Sequence, residues 1–125
     1  MTQESVTAVP SEAAAEEKPP PLRVVVRPEE GRTTVIVAGE LDDSTAPELR
    51  ERLAQVTTDL VGDLVLDIGL LTFVDSTGLA LFVAQHKKLL SQGFGLTISS
   101  PSPMARRLLE ITGLTQLLSI EPPLA

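Results

Sequence analysis

The segment FVDSTGLALFVAQ, residues Phe73–Gln85, decides the fold because its hydrophobic periodicity changes within a few positions. It begins apolar, becomes polar over Asp75–Gly78, and then places apolar residues at helical spacing. This pattern predicts that a strand-like segment gives way to a helix near Ser76. Glycine commonly follows the last turn of a helix, so we expect this helix to end before Gly93. The side chains expected to face the core are Leu79, Phe82, Val83 and Leu90.

The residues before this segment predict a hairpin and a strand. Two β-branched runs, Leu22–Pro28 and Arg32–Gly39, are separated by Glu29-Glu30-Gly31, where the glycine permits a tight turn. Asp63–Ile68 then alternates leucine and isoleucine with other residues, which is typical of a strand buried mainly on one side. Residues 69–72 are predicted to be a linking stretch.

A helix is predicted between the hairpin and this strand. Thr45 and Glu48 stand at the spacing of a capping box, and Pro47 falls in the first turn, where its missing N–H is not needed. The positions expected to face the core are Leu49, Leu53 and Val56.

The residues after the opening segment predict one more strand, one more helix and a short edge strand. Gly95–Ser99 reads as the strand. The helix is expected to be capped by Ser102, to have Pro103 at its first position and to end at Gly113. Leu117–Glu121 is predicted to form the edge strand.

Together these elements predict an α/β fold. Alternation of strands and helices with short links favours parallel pairing through right-handed crossovers, whereas the hairpin adds an antiparallel pair. We therefore expect a single domain over residues 22–125, with a mixed β-sheet and helices packed mainly on one face. Residues 1–21 contain almost no large apolar side chains and close in three prolines, so a disordered N-terminal tail is predicted there.

Composition excludes several classes of function. The 125 residues include no cysteine, which removes disulfides and thiolate chemistry. The formal net charge is −7 and the only aromatic residues are three phenylalanines, so a nucleic-acid partner is disfavoured. No apolar run approaches the roughly 20 residues of a membrane span, and the start lacks the features of a secretion signal. We expect a cytoplasmic protein with no membrane partner, no cofactor and no metal site.

Three interpretations of Asp75–Gly78 compete on the residues alone. Ser76 can cap the helix by accepting a hydrogen bond from a following N–H. It can be a nucleophile, but Val74 stands where the G-x-S-x-G motif needs its first glycine. The only histidine, His86, is ten residues along the same helix, a rise of about 15 Å, so it cannot act as a base for Ser76. We expect His86 to be a partly buried, hydrogen-bonded histidine. We also expect that the protein is not an enzyme. In the third interpretation, Ser76 is the substrate of another protein's kinase.

A phosphate at Ser76 would act as a switch. It adds roughly −1.5 to −2 charges, which the positive end of a helix dipole tolerates and a surface fitted to a neutral hydroxyl does not. Gly78 costs helix stability, which indicates either a close approach by another molecule or tight packing against a strand, and both remain open. The outer side of the helix is expected to expose a small apolar strip of Ala80, Leu81 and Ala84.

Three stretches resemble a known family. GELDDSTAPELRERL (Gly39–Leu53), LVLDIGLLTFVDSTGLALFVAQHKKL (Leu64–Leu89) and PSPMARRLLEITGL (Pro101–Leu114) look like the STAS domain of bacterial anti-sigma factor antagonists. The similarity covers about Leu22–Glu121. It implies a partner that is both an anti-sigma factor and an ATP-using serine kinase, whose capture frees a sigma factor. Phosphorylation of the serine after the aspartate breaks that complex, and a phosphatase restores it.

Matched residue by residue, the resemblance makes Ser76 the phosphoacceptor. Asp75 matches the neighbouring acid, and Asp42 matches the loop beside the phosphoacceptor at the partner interface. With the exposed helix strip included, the predicted partner-binding residues are Asp42, Asp75, Thr77, Gly78, Leu79 and Leu81. The alternative is a constitutive STAS scaffold in a stress-signalling or lipid-transport complex, without a phosphorylation cycle.

Overall fold

A computed structural model describes residues 20–121, which form five strands, three α-helices and one 3-10 turn. In chain order the elements are β1 (Leu22–Glu29), β2 (Arg32–Leu41), α1 (Ala46–Thr58), β3 (Asp63–Val74), α2 (Ser76–Ser91), β4 (Leu96–Ser99), α3 (Pro103–Ile111), the 3-10 turn (Leu114–Gln116) and β5 (Ser119–Glu121). The predicted tail lies outside the described residues except for Pro20 and Pro21.

The strands form one mixed sheet in the order β1-β2-β3-β4-β5. The hairpin β1-β2 is antiparallel and the other three pairs are parallel. Because each parallel strand lies beside its predecessor, right-handed crossovers carry all three helices to the same face of the sheet. The predicted α/β fold class, with helices mainly on one face, is confirmed. We call the uncovered side of the sheet the open face.

The core lies between the sheet and the helices. Val35 and Val37 of β2 are fully buried, as are Leu64 and Leu66 of β3. The helices meet these strands with buried leucines and with Phe82, the largest fully buried side chain. The hairpin turns tightly at Gly31, whose φ of 82° is readily adopted only by glycine.

Strand β3 is longer than the alternation predicts. It continues through the predicted linking stretch to Val74. Its pairing with β2 shifts register between Ile36 and Ala38 and again between Gly39 and Glu40. These irregularities change the spacing of core-facing residues from two to three, so Ile68, Leu71 and Val74 all face the core. A search for strict alternation therefore stops at Ile68.

The buried face of α2 is rotated from the predicted one. Leu79 and Phe82 are buried as expected, but Leu90 is exposed and Leu81 is buried, so both of those predictions are wrong. Leu81, Phe82, Gln85 and Leu89 recur at helical spacing and set the orientation of α2 together with Gly78. The prediction gave glycine and glutamine no weight as core residues, which moved the inferred face around the helix.

The predicted capping box of α1 is also wrong in detail. Thr45 is the N-cap residue, but its side chain makes no capping hydrogen bond to the helix. Its hydroxyl instead donates to the Glu40 carbonyl oxygen at 2.8 Å and accepts from the Asp42 N–H at 3.0 Å. The threonine side chain therefore orders the preceding loop. The later prediction is confirmed: Ser102 caps α3 by accepting from the Ala105 N–H at 3.1 Å, with Pro103 first in the helix.

Candidate functional site

Two loops leave the sheet side by side at the carboxyl ends of β2 and β3. Leu41 and Val74, the last residues of these parallel strands, are partners in the register. The loop that follows β2 begins with Asp42, and the turn that follows β3 begins with Asp75. The Asp75 N–H donates to the Leu41 carbonyl oxygen at 3.2 Å. The fold therefore brings the two predicted parts of the site together.

The start of α2 is capped by Asp75. Its Oδ1 atom accepts hydrogen bonds from the N–H groups of Thr77 at 3.0 Å and Gly78 at 3.2 Å. Ser76 is the first helical residue and is exposed. The interpretation in which Ser76 caps the helix is therefore wrong. Within residues 20–121, the Ser76 hydroxyl makes no hydrogen bond and faces solvent.

Gly78 allows α2 to approach the sheet closely. A Cβ atom on this residue would lie 2.7 Å from Val74 Cγ2 and 2.8 Å from Leu41 Cδ2. Both neighbours are buried, so neither side chain can easily move aside. Tight packing against the strands explains the glycine, which answers the question that the sequence left open.

Asp42 organises its own loop. Its Oδ1 atom accepts from the Ser44 N–H at 3.0 Å, the Ser44 hydroxyl at 2.8 Å and the Thr45 N–H at 3.1 Å. The hydrogen bond from the Ser44 side chain is the main reason that the pKa of Asp42 lies below its ordinary value; burial acts in the opposite direction, and the hydrogen bonds from the Ser44 and Thr45 N–H groups lower the pKa further. Asp42 is half-buried, so it is less accessible than a fully exposed loop residue.

The six predicted partner-binding residues differ in accessibility. Asp42, Asp75 and Thr77 are half-buried around the exposed Ser76. Gly78 is buried, and only 7% of Leu79 and 3% of Leu81 is exposed. The predicted apolar strip thus reduces to the exposed Ala80 and Ala84. A protein docking at Ser76 therefore meets small and polar side chains on this helix.

The geometry gives Ser76 no catalytic partner. His86 is half-buried as predicted, ten residues along α2, and its buried Nδ1 atom has no hydrogen-bond partner among the described residues. The predicted hydrogen bond at this nitrogen is thus not found. Between Pro20 and Glu121, no three histidine or carboxylate side chains cluster closely enough to hold a metal ion. No α-helix in the same range combines the length and apolar composition needed to cross a bilayer.

Two apolar residues beside the site were missed from the sequence. Leu70 is 62% exposed and Phe73 is 44% exposed, although both lie in β3. Leu70 lies in the linking stretch predicted for residues 69–72, Phe73 follows that stretch directly, and neither side chain was assigned to a face. The signal that could have found them is the number of apolar residues just before Asp75, which is larger than one face of a strand can bury.

Comparison with known proteins supports this description. Residues 23–125 match the family described as STAS domain. The chain is 35% identical over 99 residues to an anti-sigma-B factor antagonist of Bacillus subtilis (strain 168), covering 79% of this chain and 90% of that protein. It is 41% identical over 86 residues to an anti-sigma-B factor antagonist of Staphylococcus aureus (strain NCTC 8325 / PS 47), covering 69% and 80%.

A solved structure agrees with these relatives. The crystal structure of an anti-sigma factor antagonist from Mycobacterium paratuberculosis superposes with a TM-score of 0.73 at 31% identity, covering 82% of this chain and 87% of that one. The chain therefore belongs to the STAS domain family. These relatives are bacterial proteins named for antagonism of anti-sigma factors, and the resemblance drawn from the sequence is confirmed.

Proposed function

We propose that this protein is an anti-sigma factor antagonist controlled by phosphorylation of Ser76. In the unphosphorylated form it binds an anti-sigma factor that is also a serine kinase, and the sigma factor is released. Phosphorylation of Ser76 by the kinase ends the complex, and a phosphatase that removes the phosphate restores it. One observation carries the proposal: the Ser76 hydroxyl is exposed at the first residue of α2, and capping by Asp75 leaves it free.

The electrostatics of the turn favour release of the partner once Ser76 is phosphorylated. A phosphate brings roughly −1.5 to −2 charges to a site whose nearest acid, Asp75, already accepts two N–H groups of the first helical turn. Among the described residues, the ion pairs join Arg32 to Glu29 and to Glu121, so no basic side chain is paired at this turn. The added charge would therefore face the partner without a neutralising group, and a docked surface would have to desolvate it.

The same turn can carry the charge without unfolding. A negative group at a helix N-terminus is stabilised by roughly 0.3–1 kcal/mol at an exposed site, which offsets repulsion from Asp75. Fold stability and partner affinity thus respond differently to one modification. The base and the metal for phosphoryl transfer would come from the kinase, so this chain needs neither.

The decisive experiment measures affinity for the anti-sigma factor kinases encoded in the same genome, each purified and loaded with ADP. We expect Ser76→Ala to bind like the wild type, and Ser76→Asp to bind at least tenfold more weakly. Ser91→Asp is the charge-matched control, because Ser91 is exposed at the far end of the same helix, about 22 Å away at 1.5 Å per residue.

Two results would contradict the proposal. One is tight binding by a folded Ser76→Asp variant, since charge at this position would then not control the complex. The other is a partner that stays bound after incubation with kinase and ATP, with no phosphate on Ser76. That second result would instead indicate a constitutive STAS scaffold.

A further inference from the structure

The surface around Ser76 lacks large apolar contacts. Leu79 and Leu81 are in the core, and the exposed residues of this part of α2 include only alanines as apolar side chains. A stable interface buries about 800 Å² on each partner, and a few well-packed side chains, often aromatic, supply most of its binding energy. If a kinase docks at Ser76, its main apolar contacts must therefore lie beside this helix.

Leu70 and Phe73 are exposed on the open face next to the site. Leu70 is the register partner of Ala38, and Phe73 is the register partner of Glu40. Ala38 and Glu40 alternate along β2 with the core-facing Val37 and Leu41, so they point to the open face. Parallel neighbours in register point the same way, which places Leu70 and Phe73 on that face as well.

These two side chains are within reach of a molecule that covers Ser76. Phe73 precedes Ser76 by three residues, so their Cα atoms are at most about 11 Å apart. One register shift of β3 lies just before Leu70 and the other lies between Leu71 and Phe73, and such irregularities commonly redirect side chains near functional sites. The first shift turns Leu70 to the open face, whereas strict alternation from the core-facing Ile68 would place it in the core.

The exposed apolar surface of the open face does not extend onto β4 and β5. On β4 and β5 the side chains that point to this face are all polar: Thr97, Ser99, Ser119 and Glu121. Toward β1 the surface continues through Val25, which pairs with Ile36 and is exposed. Glu40, beside Phe73, and Asp43, in the adjacent loop, are exposed acids. Arg23, the register partner of Ala38, is an exposed base on the same face, so the apolar surface has a border of mixed charge, which suits a partner with an apolar pocket and a polar rim.

We propose that Phe73 and Leu70 are the principal apolar contacts of the docking surface, so that the kinase bound at Ser76 also covers the carboxyl end of β3 on the open face. This inference rests on the proposed function and assigns to the complex a surface outside the Asp42 loop and helix α2. Its geometry separates two roles, since the serine turn controls the charge of the interface and the open face supplies its apolar area.

The test is calorimetric titration of the full chain with the same ADP-loaded kinases. Phe73→Ala and Leu70→Ala should each weaken binding, Phe73→Ala by tenfold or more. Ile111→Ala is the matched control and should bind like the wild type. Ile111 is also an apolar residue, 69% exposed, but it ends α3, which lies on the helix-covered face of the sheet and not on the open face. Leu70→Ala keeps the test valid if Phe73→Ala unfolds, because Leu70 is the more exposed residue.

The outcomes separate this inference from the proposed function. If the wild type binds and Ser76→Asp does not, but both alanine variants bind as tightly as the wild type, only the open-face contact is wrong. If the wild type fails to bind, or Ser76→Asp binds as tightly as the wild type, the proposed function fails and the inference fails with it.

Two other occupants of the open face would also overturn the inference. Sedimentation of the free protein would show a dimer that Phe73→Ala dissociates if a second copy covers the face. Nuclear Overhauser contacts between Phe73 and residues 1–19 of the free chain would show that its own N-terminal segment does so.

Discussion

Leu41 contacts the start of α2 in two ways, through its backbone carbonyl, which accepts from the Asp75 N–H at 3.2 Å, and through its side chain, whose Cδ2 atom lies 2.8 Å from the position that a Cβ atom of residue 78 would take. The two loops of the site are therefore held by one buried residue at the end of β2. A displacement of α2 would change the position of Ser76 and of the Asp42 loop together.

We predict that Gly78→Ala destabilises the protein. The new methyl group would meet Val74 and Leu41 at less than 3.0 Å, and overpacking of this kind typically costs about 1–3 kcal/mol. The better helix propensity of alanine returns at most about 1 kcal/mol. Urea denaturation should show a lower midpoint. Gly95→Ala is the control, because its Cβ would have only ordinary contacts of 3.6 Å and beyond with Asp63. An unchanged midpoint for Gly78→Ala would mean that α2 does not pack as closely as described.

We predict that Asp75→Ala weakens the start of α2. The substitution leaves the N–H groups of Thr77 and Gly78 without their acceptor, and loss of an N-cap side chain typically costs about 1 kcal/mol. Asp75→Ser should recover part of this loss, because serine is also a good cap. Hydrogen exchange at the amides of Thr77 and Gly78 is the direct measurement. Equal exchange rates in Asp75→Ala and in the wild type would show that the cap does not form in solution.

Asp42→Ala is predicted to lower stability as well as partner affinity. An exposed loop position would predict a contact residue whose loss hardly affects the fold, but hydrogen bonds from Ser44 and Thr45 converge on the half-buried Asp42 carboxylate. We expect a lower melting temperature for Asp42→Ala. Asp43→Ala is the matched control, since Asp43 is the next residue and is exposed. If both variants melt like the wild type, the loop does not depend on these hydrogen bonds.

The start of α2 could be predicted from the sequence, and its exact cap could not. The change from polar to helical apolar spacing after Asp75 fixes where the helix begins, because no other element accommodates that pattern. Asp75 and Ser76 are both good capping residues, so the identity of the cap depends on which of these two neighbouring positions is the last before the backbone becomes helical. The extended backbone of Asp75, with ψ of −170°, decides between them, and it follows from the pairing of β3 with β2.

The exposure of Leu70 and Phe73 on β3 was harder to predict than the start of α2, because it depends more on tertiary structure. Strand alternation predicts a face only while the register is regular, and the shifts opposite Ala38 and Glu40 end that regularity. Similarly, the face of α2 is set by Gly78 and Gln85, whose burial follows from packing against Leu41 and the rest of the core. Sequence patterns located the site, but long-range contacts determined which of its side chains are accessible.

Acid should reduce the stabilising effect of Asp42. Its pKa in the folded protein is lowered, chiefly by the Ser44 hydroxyl, so its contribution is fully present above the unfolded pKa of about 3.9 and is lost as the pH falls through the lower folded value. The urea midpoints of the wild type and Asp42→Asn should therefore differ most above about pH 5, and the difference should shrink as the pH falls below about 3.9. A difference that stays constant over this range would mean that the charge of Asp42 does not contribute to stability.

The two ends of α2 should differ in how well they tolerate negative charge. Ser76→Asp places a carboxylate at the positive end of the helix dipole, where repulsion from Asp75 opposes it, so we expect the free energy of unfolding to change by less than about 1 kcal/mol. Ser91→Asp places the charge at the negative end and also removes the hydrogen bond from Ser91 to the Lys88 carbonyl oxygen, so it should lower the urea midpoint. Raising the salt concentration should reduce the difference between the two variants, because both sites are exposed. A larger loss of stability in Ser76→Asp than in Ser91→Asp would show that the turn does not tolerate charge, and weaker partner binding by Ser76→Asp would then reflect unfolding instead of release.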